Sequence, residues 1–283
     1  MYSSCSRVVA AVAALLLQAA IASAESDGYI AGLGGESDTA GGRAATVFGD
    51  ISLSEKTWAS ALIARTSTGG EAGGLETWYV DAGVDYWFEP LGIRFGGGYW
   101  GDDTILDSND LRASIYFRND ELSVSADYER RQFDFAFGAA FLPEPRTVEF
   151  HGDGYGLNAR FPLSEVVGVS FGGMRYDYSR NINLQPNIDI LRIFSSSRLG
   201  LMNSLLDYRV SAGIDYSFGL SALDIRLERW QTAIDQGYVN SMGIGILTPI
   251  GTKSDMEFRI AYDRSDNFGD TLTFSVFYYY FGG

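Results

Sequence analysis

The chain contains one histidine, His151, within the run Glu149-Phe150-His151-Gly152-Asp153. An imidazole beside a carboxylate can activate water, and with a serine it can drive attack on an ester. No serine lies close to His151 in sequence and no hydrolase signature surrounds it, so the plainer reading is a solvated histidine at a rim. Metal chemistry has still less to work with. The single cysteine, Cys5, falls in the N-terminal segment, which leaves scattered carboxylates able at most to hold Ca²⁺ loosely in loops. No metal site or other cofactor is expected. The Gly96-Gly97-Gly98 run precedes no helical segment that could seat a phosphate, and reads as a bend or close packing within a strand.

Charge is the larger chemical resource. Arginines and carboxylates recur among the residues that alternate with apolar ones through much of the chain, and opposed charges facing water in a confined space set a local field and a selectivity. The residues assigned to such a lining are Asp81, Asp85, Arg94, Arg112, Arg118, Asp127, Arg131, Asp207, Arg209, Asp215, Arg226, Glu228, Glu257, Arg259 and Asp263, with Asp50 and Arg65 also placed inward.

Those positions require a particular element. In Leu111-Arg112-Ala113-Ser114-Ile115-Tyr116-Phe117-Arg118 apolar residues alternate with polar ones, the period of a β-strand whose faces meet different surroundings. Trp78, Val80, Ala82, Val84, Tyr86 and Phe88 repeat the stripe against Thr77, Tyr79, Asp81, Gly83 and Asp85. Tyr208 to Tyr216, Leu223 to Leu227 and Met256 to Tyr262 do the same. About fourteen such segments of roughly ten residues follow one another, and no helical segment remains to cover the apolar stripe. The expected fold is all-β: a transmembrane, up-and-down antiparallel barrel with lipid outside and water inside. The segment Val166 to Tyr178 changes the parity of its alternation near Gly172-Gly173, where a β-bulge is expected.

The N-terminus reads differently. Arg7, an apolar run from Val8 to Ile21 and the small residues Ala22-Ser23-Ala24 make residues 1–24 a signal peptide and 25–283 the barrel. A formal net charge of −15 argues against nucleic acid as a partner. Thirty-four glycines, 17 tyrosines and 18 phenylalanines fit many strands with aromatic belts.

Connections alternate short and long. Short ones include Ser54-Glu55-Lys56, Glu89-Pro90 and Gly219-Leu220; long ones include Thr66 to Gly74, Asp134 to Arg146 and Ser179 to Ser204. Short periplasmic turns and long external loops are the habit of outer-membrane barrels, which places Lys56 and Lys253 on the periplasmic side. The last segment, Leu272 to Phe281, with Phe274, Phe277, Tyr278, Tyr279, Tyr280 and Phe281, resembles the aromatic-ended final strand of the bacterial outer-membrane β-barrel superfamily. That resemblance implies location in the outer membrane and recognition of the strand by the barrel-insertion machinery. Gly282-Gly283 departs from it, because such chains usually end on the aromatic.

The functional expectation rests on size. Eight strands leave a lumen filled by side chains and sixteen leave an aqueous channel, so about fourteen should leave space that side chains alone do not close. The Ser179 to Ser204 link carries Ile190, Leu191 and Phe194, more apolar than an exposed loop should be. It can fold inward as a constriction, capture a hydrophobic substrate, or pack on neighbouring loops. The sequence thus points to a passive, non-enzymatic channel for small polar or charged solutes. A structural or envelope-assembly barrel with a closed lumen is the main alternative, ahead of hydrophobic-substrate uptake and an outer-rim hydrolase.

Overall fold

A strand with one apolar and one polar face is satisfied only where two media meet, and in lipid its backbone groups must all find partners within the protein. A computed structural model, describing residues 28–68, 75–102, 106–137, 146–180, 205–267 and 269–283, shows how this chain meets both demands. Fourteen strands run in order: β1 (Tyr29–Asp38), β2 (Arg43–Ser54), β3 (Thr57–Thr68), β4 (Leu75–Phe88), β5 (Leu91–Gly101), β6 (Leu106–Arg118) and β7 (Ser123–Phe137). They continue as β8 (Arg146–Pro162), β9 (Val167–Tyr178), β10 (Leu206–Phe218), β11 (Ser221–Thr232), β12 (Tyr238–Pro249), β13 (Ser254–Ser265) and β14 (Gly269–Gly282). Each pairs antiparallel with its chain neighbour, and β1 closes on β14 from Tyr29 opposite Gly282 to Asp38 opposite Thr273.

The connections separate two ends. Tight turns join β2 to β3, β4 to β5, β6 to β7, β8 to β9, β10 to β11 and β12 to β13; the other links emerge at the opposite, loop end. The turn Gly219-Leu220 is tight enough to need positive φ, which Gly219 supplies at 59°. The outer face is a belt of exposed apolar side chains, among them Leu33, Val47, Val84, Leu111, Ile115, Leu157, Ile214 and Ile260. Near the turn end Tyr86 stacks on Phe88 and Tyr216 on Phe218, each pair 5.9 Å between ring centres, as expected of an interfacial aromatic girdle.

Two expectations from the sequence are corrected. The first concerns Gly172-Gly173, where no bulge occurs: β9 keeps unbroken register with both β8 and β10. What changes there is the polarity of the faces. Val167, Val169 and Phe171 point outward, but beyond them the outward positions carry Arg175 and Asp177, while Tyr176 and Tyr178 turn in. The same inversion runs along β7, where Phe133 and Phe135 continue the inward row of Asp127, Glu129 and Arg131, and Arg130, Gln132 and Asp134 face out. In β8, Val148 and Phe150 face in while Glu149, His151 and Asp153 face out. These strands outrun the apolar belt, and above it they bury an apolar interior and present a wet exterior. The register shifts that do occur lie at Ser52/Ser54 and Leu206/Tyr208.

The second correction is Arg65. It lies opposite the outward-facing Trp78, with its guanidinium 5.6 Å from that ring and 2.5 Å from Glu76, so it faces out rather than in. The small residues of β3 blur the alternation that would have shown this.

The two faces predict different responses to one substitution. Ile115→Arg, on the outer face, should cost about 2–4 kcal/mol, and Ser114→Arg, beside it on the inner face, much less. Refolding into lipid vesicles across a denaturant series measures both; equal losses would refute the assignment of faces.

Candidate functional site

The inner wall is where the charged residues converge. Alternation and pairing turn Asp81, Asp85, Arg94, Arg112, Arg118, Asp127, Arg131, Arg209, Asp215, Arg226, Glu228, Glu257, Arg259 and Asp263 toward the barrel axis. Asp207 falls at the register shift between Leu206 and Tyr208. Ile190, Leu191 and Phe194, the expected constriction, lie outside the described residues.

Most of the inward charges are tied in close pairs rather than spread as a basic wall facing an acidic one. Arg94 meets Asp85 at 2.7 Å, Arg160 meets Asp215 at 2.7 Å, and Arg259 meets both Asp224 and Glu257 at 2.8 Å. Arg112 bonds Asp81, and Asp127 accepts from Ser114, Ser125 and Asn158. Arg131 forks onto Glu129 at 2.8 and 3.2 Å and lies 4.9 Å over the Tyr176 ring, whose hydroxyl donates to the same carboxylate at 2.6 Å. A bidentate, charge-assisted fork of this kind is among the stronger polar contacts a protein makes. Arg209 and Arg226 differ: neither forms a hydrogen bond or ion pair with another described residue.

Several of these ties pass over a whole strand, and a glycine lies beneath each. Tyr116 of β6 reaches Asp85 of β4 across Gly92, where an added Cβ would stand 2.1 Å from the ring. Arg112 crosses β5 at Gly96, Asp215 lies over Gly168 of β9 to meet Arg160 of β8, and Arg259 crosses β12 at Gly245. Tyr176 crosses β8 at Gly154 to reach Glu129, in one straight row of the sheet. Alternate strands stand about 10 Å apart, and a side chain between them would block the path. Glycine leaves the floor clear.

Burial grades the wall. At the turn end Arg94 and Arg160 keep 63% and 62% of their side chains exposed. Midway, Arg112 and Arg259 keep 35% and 22%, and toward the loop end Arg131 keeps 8%. The lumen therefore tapers from a wide turn end. Two internal cavities of about 560 and 480 Å³ share Glu36, Asn158, Leu206, Arg209, Ser211 and Phe277. A further space of about 270 Å³ at the turn end shares Ser123 and Arg160 with the larger of them.

The taper ends against an apolar cluster that the sequence reading missed. Trp100, Phe133, Phe135, Phe150, Leu205, Ala233 and Ile234 are buried together near the loop end, and Phe133 and Phe150 stack with ring centres 4.9 Å apart. The signal was available, since Phe133 and Phe135 keep the parity of Asp127, Glu129 and Arg131. His151 lies outside this interior. Its Nε2 is 3.9 Å from Asp153, and the nearby Ser179 hydroxyl accepts from the His151 backbone N–H. Among the described residues no group of three His, Cys, Asp or Glu side chains could hold a metal ion.

No protein-family model and no curated protein matches the sequence. Solved structures do resemble the fold. The CymD monoaromatic hydrocarbon channel aligns with a TM-score of 0.60 and 12% identity, covering 94% of this chain and 91% of that one. OmpT with loop L8 deleted, an outer membrane protein of Vibrio cholerae, aligns at 0.49 and 8%, covering 90% and 99%. The KdgM porin in complex with disordered oligogalacturonate aligns at 0.45 and 9%, covering 89% and 98%. The first of these likenesses shows a shared fold, a closed antiparallel β-barrel.

The glycine floors can be tested directly. A Cβ at Gly154 would stand 2.6 Å from the buried Tyr176 ring and 2.8 Å from Met174, whereas at Gly243, also inward-facing, its nearest neighbour is 3.9 Å away. Gly154→Ala should destabilise the barrel by about 1–3 kcal/mol. Gly243→Ala should stay within about 0.5 kcal/mol of the parent. Unfolding midpoints in detergent measure the difference, and equal effects would show that the crossing carries no weight.

Proposed function

We propose that this protein is a passive outer-membrane channel for small polar or charged solutes, its turn end in the periplasm and its loop end outside. The observation that carries the reading is the charge-lined interior, open enough at the turn end to leave Arg94 and Arg160 mostly exposed. An interior meant only to be filled would bury such side chains throughout, as the smallest barrels do. Close pairing of most charges keeps the wall wettable without a strong net field, and Arg209 and Arg226, without an ion-pair partner among the described residues, supply a local positive site in the larger cavity. Entry into the membrane goes through the aromatic C-terminal strand, which the insertion machinery reads, and the apolar belt then meets lipid.

A second reading is uptake of small apolar solutes. It is favoured by the buried cluster around Trp100, Phe133 and Phe150, which stands across the loop end where an external solute would enter. It is favoured also by the likeness to the CymD monoaromatic hydrocarbon channel.

Planar-bilayer recording separates the readings. The channel reading expects discrete conductance steps, and Arg209→Gln with Arg226→Gln should move the reversal potential in a salt gradient toward cations. Swelling of proteoliposomes in small sugars and amino acids should accompany the steps. Absence of both conductance and swelling would overturn the proposal in favour of a closed structural barrel or an apolar-solute path.

A further inference from the structure

The outer surface differs at its two ends. On the described strands the outward-facing arginines are Arg43, Arg65, Arg130, Arg175, Arg229 and Arg264, and all lie on the loop side of the apolar belt. Arg65 and Arg130 already meet carboxylates, Glu76 and Asp153. Arg229 and Arg264 form a constructed pair. Arg229 of β11 lies opposite Asn240 of β12, and Asn240 lies opposite Arg264 of β13, so two guanidiniums flank one amide in a single row. Across two strand spacings they stand about 10 Å apart, a span two arginine side chains can close around one anion. The Arg229 guanidinium rests 4.6 Å from the Tyr238 ring, which orients it. Neither arginine forms an ion pair with a described carboxylate. Asp270, opposite Arg264, accepts the Tyr262 hydroxyl at 2.5 Å instead.

What lies directly below makes the pair more than a rim of charge. Two residues toward the turns from Asn240 and Arg264 come Met242 and Tyr262, which open an apolar furrow of about 580 Å³. Ile244, Phe258, Ile260 and Phe274 continue it down the outer wall, and almost no polar surface interrupts it. A paired cationic head site at the edge of an apolar trough matches a molecule with an anionic head and a long apolar tail.

We propose that the outer face of β11–β14 binds a phosphate-bearing membrane lipid, with the phosphate between Arg229 and Arg264 over Asn240 and an acyl chain in the furrow below. The proposal rests on the membrane-spanning reading, but not on conduction. Arginine forks suit phosphate oxygens, and each basic residue near a membrane surface strengthens anionic-lipid binding. The head site also lies at the level where outward residues switch from apolar to polar, which is the depth of a lipid headgroup.

The test is native mass spectrometry of the full, folded protein in detergent, titrated with phosphatidylglycerol or with a galactosyl diacylglycerol of the same chains. The folded protein should retain the phospholipid about tenfold better than the neutral glycolipid, from two cationic contacts. Arg229→Gln with Arg264→Gln should bring that ratio to near one, and Ile260→Trp should lower retention of both lipids by filling the furrow. Circular dichroism confirms that each variant is folded. Equal retention of the two lipids by the parent, or an unchanged ratio in the double variant, would overturn the proposal. So would inorganic phosphate displacing the lipid at equal concentration, since the furrow would then contribute nothing. Bilayer conductance should be the same in the double variant as in the parent, and a parent that does not conduct bears on the channel reading alone.

Discussion

The structure depends on one constraint: backbone N–H and C=O groups that face lipid cannot turn to water, so each must be bonded within the sheet. An open sheet of fourteen strands would leave two unpaired edges, and the meeting of β1 with β14 removes both. Closure in turn fixes which residue of every row faces in. Once Leu33 lies opposite Tyr278 and Val47 on the outer wall, the inward places fall to Gly32, Gly34, Glu36 and Asp38, and so on around the ring. Polar side chains collect in the lumen because the other face is already committed to lipid.

The lumen then has its own problem, which is crowding. Arginine and tyrosine side chains must fold back against the wall if water is to pass between them. Gly92, Gly96, Gly154, Gly168 and Gly245 give them somewhere to lie. Each glycine gives up strand propensity, yet each lets a cation or hydroxyl reach a carboxylate two strands away. The resulting ties flatten the charged layer against the barrel wall. Toward the loop end the same rows carry Tyr176, Tyr178, Phe133 and Phe150 instead, and the wet interior gives way to an apolar one.

Much of this was legible in the sequence, and the parts that were not have physical reasons. The strand count, the antiparallel order, closure into a barrel and the alternation of short and long connections follow from a period of two and from turn chemistry. Those signals are local, and every strand repeats them. Arg65 was misread because Ala59, Ala61 and Ala64 give β3 little contrast between its faces. The supposed bulge at Gly172-Gly173 was a change of medium mistaken for a change of register. Alternation reports which residues share a face, but not what that face touches, and beyond the belt the answer reverses. The pairing of Arg112 with Asp81, or of Tyr176 with Glu129, depends on strands that are not sequence neighbours in any local window. Only the glycines beneath them hint at it, and a glycine by itself does not say what lies over it.

The seam between β1 and β14 has a consequence for how the barrel comes into being. Its rows join residues at opposite ends of the chain, Tyr29 with Gly282 and Glu36 with Ser275. Every other strand can zip onto a neighbour emerging within a few tens of residues, but this contact waits for the last one. Bringing such distant segments together loses more entropy than any hairpin step, and topologies rich in distant contacts assemble slowly. Until it forms, two bare sheet edges are exposed at once, ready to pair with another unfinished chain. Assembly therefore ends in a single late event that converts the most aggregation-prone intermediate into the least.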